Sequence, residues 1–181
     1  MKKILITGAF STGKTSLIRL VDDKLKLLSR KTLIINEVAR ECPFDLNKNQ
    51  DLISSSWMVM RQLQNELEID INTYDFAIFD RGLPDIISHV EYIAYDDKDR
   101  IFTNQLRLLA KASCNRYDYV FFSRISDKFK INDDGVRIVD YDFQRELEKL
   151  HLDCLEQLGI PYINLPEKNP ERLDFILRAI L

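Results

Sequence analysis

The stretch GAFSTGKTS, from Gly8 to Ser16, constrains the fold of this 181-residue chain more than any other part of the sequence. It matches the pattern G-x-x-x-x-G-K-[ST], with Gly8, Gly13, Lys14 and Thr15 at the fixed places. The apolar run KILIT before it predicts a buried strand, and the leucines after it recur at helical spacing. A glycine loop between a strand and a helix is the setting in which this pattern binds phosphates, so we expect a triphosphate site here.

The nine loop residues are the predicted nucleotide-binding residues. They are Gly8, Ala9, Phe10, Ser11, Thr12, Gly13, Lys14, Thr15 and Ser16. Glycines let backbone N–H groups approach the phosphates closely, and the following helix N-terminus adds its positive dipole. We expect Lys14 to contact the outer phosphates as a catalytic residue and the Thr15 hydroxyl to hold Mg²⁺. The predicted cofactors are therefore ATP or GTP, with Mg²⁺.

Strand-like and helix-like segments alternate along the rest of the chain. Further strands are predicted at residues 32–36, 76–80, 118–123 and 160–165, and helices at about 46–71, 84–95, 101–115, 141–158 and from 170 to the end. The acidic run DDKDR, residues 96–100, is predicted to be a solvated loop. The alternation predicts a single α/β domain over residues 1–181, with a five-stranded, mainly parallel sheet between two helical layers. A mixed sheet with an antiparallel edge strand is the alternative.

Two acidic residues follow predicted strands. Asp80 ends the apolar run FAIF, as in the Walker-B pattern, and is predicted to be a catalytic residue and Mg²⁺ ligand. Glu37 follows TLIIN and is a candidate for accepting a proton from a hydroxyl that is about to be phosphorylated. For Glu37 the alternative is a solvated loop acid or an ion-pair partner of Arg40. Both acids are expected on the ligand side, because ligands bind beyond the carboxyl ends of parallel strands.

Several cations accompany these acids. Arg40 and Arg81 are predicted to bind an anionic acceptor or the moving phosphoryl group, together with Glu37 as substrate-binding residues. Residues 124–139 follow the fourth strand and form a candidate lid of polar and cationic character. Within it, Arg137 is the predicted catalytic cation, next to the turn-forming pair Asp134-Gly135. The alternative for this segment is an exposed loop with solvated charges.

The overall charge is close to neutral and limits the classes of partner. The net charge is −3, so there is no broad basic field and nucleic acid is not favoured as the main partner. No stretch approaches the roughly 20 apolar residues that a membrane span needs, and we expect a cytoplasmic protein. The expected partners are a nucleotide and a small-molecule acceptor, with a homodimer as a further option.

These motifs together resemble a known family, the small P-loop ATPase and kinase domains related to the ribosylnicotinamide kinase domain of the bacterial NAD biosynthesis regulator. The resemblance rests on GAFSTGKTSL, on EVAREC after the second strand, on FDRGLPD after the third, and on DDGVR. It implies a nucleoside- or nucleotide-kinase-like fold, ATP or GTP binding with Mg²⁺, and in kinase members the phosphorylation of a nucleoside hydroxyl. The Asp80-Arg81-Gly82 sequence is closer to thymidylate-kinase-like members.

Two functions are compatible with this sequence. The first is a kinase that transfers the γ-phosphate of ATP to a nucleoside- or nucleotide-like acceptor. The second is an NTP-dependent ATPase or switch that acts on a protein, nucleic acid or lipid partner. A Ras-like GTPase is disfavoured because the chain has no [NT]-K-x-D element, and a hexameric AAA⁺ motor because there is no room for its helical lid domain.

Overall fold

Five parallel strands form one sheet in the order β2-β3-β1-β4-β5. They are β1 (Lys2–Thr7), β2 (Thr32–Ile35), β3 (Phe76–Asp80), β4 (Tyr119–Phe122) and β5 (Ile163–Asn164). Every strand pair in the described part of the chain is parallel, so the predicted parallel sheet is confirmed without an antiparallel edge. The structure is a computed structural model that describes residues 1–46, 50–94, 96–114, 116–131 and 140–181.

In the described residues, five helices and a 3₁₀ turn lie between the strands, and a sixth helix follows β5. The helices are α1 (Lys14–Leu27), α2 (Leu52–Leu67), α3 (Leu83–Ile93), α4 (Asp97–Cys114), α5 (Tyr141–Leu158) and α6 (Asn169–Ile180). A 3₁₀ turn at Val38–Glu41 follows β2 directly. In the parts of the chain that the structure describes, no helix has the length and apolar character needed to cross a membrane.

Alternating side chains of the strands divide the core into two halves. On β1, Ile4 and Ile6 pack with α1 and α6, whereas Leu5 packs with α2, α3, α4 and α5. On β4, Phe121 belongs to the first half and Phe122 to the second. Because both faces of a parallel sheet are covered by helices, its strands are continuously apolar, which is why the short apolar runs identified them. The three-layer prediction is therefore confirmed.

Three boundaries differ from those predicted. The DDKDR run is not a loop, because α4 begins at Asp97, with the Asp96 carboxylate accepting a hydrogen bond from the Asp99 N–H at 2.9 Å. Acidic side chains in the first turn of a helix interact favourably with the positive end of the helix dipole. The acidic residues of this run therefore stabilise the start of α4. Helix α2 begins after its N-cap Asp51, later than predicted, and β5 has only two residues.

The strand order places the loop after β1 beside the loops after β3 and β2. Residues Gly8–Ser16, which we call the phosphate loop, follow β1 at the centre of the sheet. Asp80 ends β3, its neighbour, and Glu37 follows β2, the next strand along. Three sequence-distant segments thus meet at one edge, where ligands of parallel α/β folds bind.

Candidate active site

The phosphate loop has a conformation that two glycines make accessible. Gly8 has φ 128° and Gly13 has φ 80°, both in the region that side chains disfavour. A Cβ atom on Gly8 would lie 2.4 Å from the Ser123 carbonyl oxygen, and one on Gly13 would lie 2.5 Å from the Phe129 ring. Backbone conformation and close packing therefore both require glycine at these positions, as the phosphate-binding motif predicts.

Lys14 is a buried cation at the start of α1. Its ammonium group donates hydrogen bonds to the Ala9 carbonyl and to the Thr12 hydroxyl. Burial, together with the nearby Arg81 guanidinium, lowers the pKa of Lys14 to about 7. A polyanion beside this amine would raise the pKa again, so the loop suits a phosphate ligand.

Thr15 and Asp80 form the candidate Mg²⁺ site. The Thr15 hydroxyl donates a hydrogen bond of 2.6 Å to the Asp80 carboxylate. Burial and the Glu37 carboxylate raise the pKa of Asp80, and a cation here would lower it. Oxygen ligands of this kind suit Mg²⁺, which takes few protein ligands and completes its shell with phosphate oxygens and water. Among the described residues there is no cluster of three or more His, Cys, Asp or Glu able to hold a metal ion.

Arg81 connects the phosphate loop with both neighbouring acids. Its Nε atom lies 2.6 Å from Glu37 Oε1, and its Nη1 atom donates to the Gly8 carbonyl at 3.0 Å and to Asp85 Oδ1 at 3.2 Å. The Arg81 backbone has φ 71°, a strained conformation for a residue with a side chain. Backbone strain of this kind persists where surrounding contacts hold the residue in place. Here the three contacts of the Arg81 side chain do so.

Glu37 is a buried carboxylate that faces two arginines. Only 9% of the residue is exposed, so it is not a solvated loop acid. Its second oxygen lies 3.5 Å from Arg40 Nε, so the ion pair named as an alternative is present. Arg40 is itself exposed at the rim. Glu37 therefore lies beside the phosphate loop and belongs to the charged group around Arg81.

Asp85 is a site residue that the sequence analysis missed. It is buried, and its Oδ2 accepts hydrogen bonds from the Thr7 hydroxyl at 2.8 Å and from the Gly82 N–H at 3.0 Å. One carboxylate thus links the end of β1, the loop after β3 and the first turn of α3. An acid three residues after the N-cap glycine of a helix is a local signal that could have identified it.

A half-open pocket adjoins Arg81 and the phosphate loop, which contributes Phe10 to its lining. We call it the acceptor pocket. Its described lining combines apolar side chains with a few polar ones: Phe10, Glu37, Val38, Ala39, Leu46, Gln50, Met58, Gln62, Arg81, Gly82, Asp85, Ile86, His89, Leu147 and His151. Mostly apolar walls with a few convergent polar groups are typical of small-molecule sites.

His151 is a second site residue that the sequence analysis missed. It lies on α5, is 2% exposed and lines the acceptor pocket. Burial lowers the pKa of His151 to about 3, and the charges of Arg81 and Lys14 act in the same direction against the opposing Asp85. The imidazole is therefore neutral at ordinary pH. Helical spacing alone gave no reason to place it at the site.

The described part of the candidate lid, residues 124–131, packs against the phosphate loop. The Phe129 ring lies over Gly13 and beneath the Arg172 guanidinium, 4.7 Å from the ring centre. Arg172 also donates to the Thr12 carbonyl at 2.7 Å and to the Ser123 hydroxyl at 3.1 Å. The rest of the lid, residues 132–139 with Arg137 and the Asp134-Gly135 turn, lies outside the described residues.

Comparison with known structures gives two similar solved chains of the same enzyme. Both are deoxyadenosine kinase from M. mycoides, one with the products dCMP and a flexible dCDP bound and one with bound dATP. Each is 18% identical with a TM-score of 0.73, and the alignment covers 98% of both chains for the first and 99% for the second. This likeness confirms the nucleoside-kinase-like fold.

Comparison by sequence identifies the family. A comparison with curated proteins gave no match. The family model described as "AAA domain" matches residues 3–172, which include the phosphate loop, every strand and helices α1 to α5. The chain therefore belongs to the AAA domain family.

Proposed function

We propose that the protein is a Mg²⁺-dependent kinase that transfers the γ-phosphate of ATP to a hydroxyl group of a nucleoside-like small molecule. One observation carries this proposal: Glu37, a buried carboxylate, lines the acceptor pocket and lies 2.6 Å from Arg81, whose guanidinium also contacts the Gly8 carbonyl of the phosphate loop. A kinase needs a proton acceptor at this boundary, because the acceptor hydroxyl loses its proton as it attacks phosphorus.

On the phosphate side, the loop backbone and Lys14 would bind the triphosphate. Thr15 and Asp80 would hold Mg²⁺, which when bound neutralises charge on the transferring phosphoryl group. Either ATP or GTP satisfies these contacts, and ATP is our working assignment. Arg172, by holding the Thr12 carbonyl, keeps the loop in position.

On the acceptor side, Glu37 would orient the attacking hydroxyl and take its proton. Arg81 would hold Glu37 in place and remain near the transferring phosphoryl group, since it also contacts the Gly8 carbonyl at 3.0 Å. Arg40 would contribute from the rim. In this assignment, Arg81 links proton removal to phosphate binding through one guanidinium.

The charge of the acceptor pocket favours an uncharged or cationic nucleoside over a nucleotide. Its described charged residues are Glu37, Arg81 and Asp85, so the single guanidinium is outnumbered by two carboxylates. A monophosphate acceptor would need unpaired cations, which these residues do not provide. The resemblance implies a nucleoside acceptor without naming it, and a nucleoside with a cationic ring, such as ribosylnicotinamide, is compatible with this charge.

We also propose residues 124–139 as a lid over the single domain, with Arg137 as its working cation. In support, the described half packs on the phosphate loop through Phe129, and Lys128 pairs with Glu167 at 2.8 Å. Closure of such a segment excludes water, which favours transfer over hydrolysis. Arg137→Ala is then expected to reduce turnover without lowering the melting temperature.

A homodimer stays an expectation with one supporting surface. Helix α2 exposes Ile53, Met60 and Leu67, each about two-thirds accessible and separated by seven residues. This spacing puts them on one helix face. Light scattering of the parent and of Met60→Lys would show whether this face joins two copies.

The alternative is an ATPase or switch with a macromolecular partner. The pocket beside Glu37, with mostly apolar walls and a few polar groups, supports a small-molecule acceptor instead. The two functions can be distinguished by incubating the protein with ATP, Mg²⁺ and a panel of nucleosides and their monophosphates. The quantities measured are the ADP released and the mass of the product. A kinase produces ADP in proportion to a phosphorylated nucleoside. ADP release at one rate with and without every acceptor would contradict the proposal.

A further inference from the structure

The side chain of His151 reaches the acceptor pocket with a polar atom that the described residues leave unsatisfied. The buried His151 Nδ1 atom receives or donates no hydrogen bond among the described residues. Leaving a buried polar atom unsatisfied costs about 1–3 kcal/mol. Because His151 lines the pocket, a ligand or a water molecule is the natural partner.

Asp85 lies beside His151, and the nearer carboxylate oxygen, Oδ1, is the one with the longer hydrogen bonds. Its Oδ2 already accepts two hydrogen bonds, at 2.8 and 3.0 Å. Its Oδ1 has only longer ones, from Arg81 at 3.2 Å and from the Gly8 N–H at 3.5 Å. The same Oδ1 lies 3.9 Å from His151 Nδ1. This oxygen therefore keeps capacity to accept one more hydrogen bond, on the side where His151 lies.

The chemistry of these two atoms selects the group that can join them. A distance of 3.9 Å is too long for a direct hydrogen bond, but one oxygen atom can contact both. That oxygen must donate to a carboxylate and exchange a second hydrogen bond with a neutral imidazole. A hydroxyl does both, whereas a carbonyl or ether oxygen cannot donate and a phosphate oxygen is repelled by Asp85.

We infer that Asp85 and His151 form a subsite for a second hydroxyl group of the acceptor, distinct from the hydroxyl that Glu37 receives. This inference rests on the proposed function. The two carboxylates contact different atoms of the Arg81 guanidinium. Glu37 lies against Nε and Asp85 lies against Nη1. A molecule with two hydroxyls a few bonds apart, such as the sugar of a nucleoside, can reach both. His151 then determines specificity, and Asp85 both positions Arg81 and binds the ligand.

The test compares acceptors that differ by one hydroxyl. The probes are adenosine, its 2′-deoxy, 3′-deoxy and 2′,3′-dideoxy analogues, and the same cytidine series. Calorimetry gives their affinities for the parent, His151→Leu and His151→Asn, because Asn keeps a polar atom near the position of Nδ1. In the parent, loss of one particular hydroxyl is expected to weaken binding about tenfold. In His151→Leu that ratio falls close to one, and His151→Asn restores part of it.

A control variant separates specificity from a general effect on the pocket. His89 also lines the pocket, so His89→Leu can lower all affinities together but is expected to leave the hydroxyl ratio unchanged. An equal ratio in the parent and in His151→Leu overturns the inference, as does failure of every probe to bind the parent. Hydroxyl-dependent binding without phosphoryl transfer overturns the proposed function and leaves the subsite intact. Phosphoryl transfer with no hydroxyl preference overturns the subsite and leaves the proposed function intact.

Discussion

The phosphate loop consists of nine consecutive residues, whereas the acceptor pocket is lined by distant segments: the turn after β2, α2, the residues after β3, α3 and α5, together with Phe10 of the loop. In the proposed function the loop would bind phosphate through backbone N–H groups, and its two glycines have the conformation that this requires. The pocket depends on a chain of contacts between buried charges, from Gly8 through Arg81 to Glu37 and Asp85. In the proposed function, local structure would therefore bind the phosphates common to all nucleotides, and tertiary structure would bind the specific acceptor. The following variants test this division.

The largest effect is expected from Glu37→Gln, which alters only the pocket side. Removing the proton acceptor should slow transfer about 10²–10⁴-fold while ATP affinity stays nearly unchanged. Single-turnover kinetics and calorimetry with ATP measure the two quantities. The matched control is Glu41→Gln, on the same 3₁₀ turn but exposed, which should leave both unchanged. A parallel loss of ATP affinity in Glu37→Gln would mean that the two regions are not separable.

Lys14→Ala should instead weaken both steps. The ammonium group contacts phosphate in the ground state and stabilises charge during transfer, so we expect turnover to fall about 10²–10³-fold together with ATP affinity. The control is Lys24→Ala, an exposed position on the same helix. Unchanged ATP binding in Lys14→Ala would remove the phosphate assignment of the loop.

Gly8→Ala tests how strictly the loop depends on its backbone. The added Cβ meets the Ser123 carbonyl oxygen at 2.4 Å and the backbone is in a disfavoured region, so the free energy of unfolding should fall by about 2–4 kcal/mol. Gly159→Ala is the matched control, since its φ is 67° but nothing lies within 4 Å. Urea denaturation should give a loss of only about 1–2 kcal/mol there. Equal losses of stability in the two variants would show that the contact with the Ser123 carbonyl oxygen, just after β4, is unimportant.

The last prediction concerns the protonation of His151, whose effect is absent at neutral pH and grows only as the pH falls. Its folded-state pKa, about 3, is below the 6.5 of the unfolded chain, so the unfolded state binds more protons between these values. The stabilising contribution is complete above pH 6.5 and is lost as the pH falls toward 3, at up to about 1.4 kcal/mol per pH unit. Urea denaturation of the parent and His151→Leu at several pH values gives the difference. An identical pH dependence in both proteins would contradict the lowered pKa.

Local patterns predicted the fold and the position of the phosphate loop because both are encoded in consecutive residues. Short apolar runs identified strands that are buried on both faces, and the strand order then brought Asp80 and Glu37 to one edge. The acidic run at the start of α4 was wrongly predicted to be a loop, because charges that begin a helix resemble those of a loop. The roles of the site residues stay predictions.

The pocket could not be predicted in the same way. The burial of Glu37 depends on Arg81, and the position of His151 depends on α5 packing beside α3. Neither contact corresponds to a spacing pattern that can be recognised in the sequence. Asp85 was within reach of a local rule, yet its hydrogen bonds to Thr7 and Gly8 come from tertiary structure.

The hydrogen bond from Arg172 to the Thr12 carbonyl joins residues 160 positions apart in the chain. During translation, the phosphate loop is made early but gains this contact only after α6 has been synthesised. At about 5–20 residues per second, that delay is on the order of ten to thirty seconds. A nascent chain that has reached only α5 carries the complete motif without its support from α6. In the proposed function, the phosphate loop would therefore reach its full nucleotide affinity only late in synthesis.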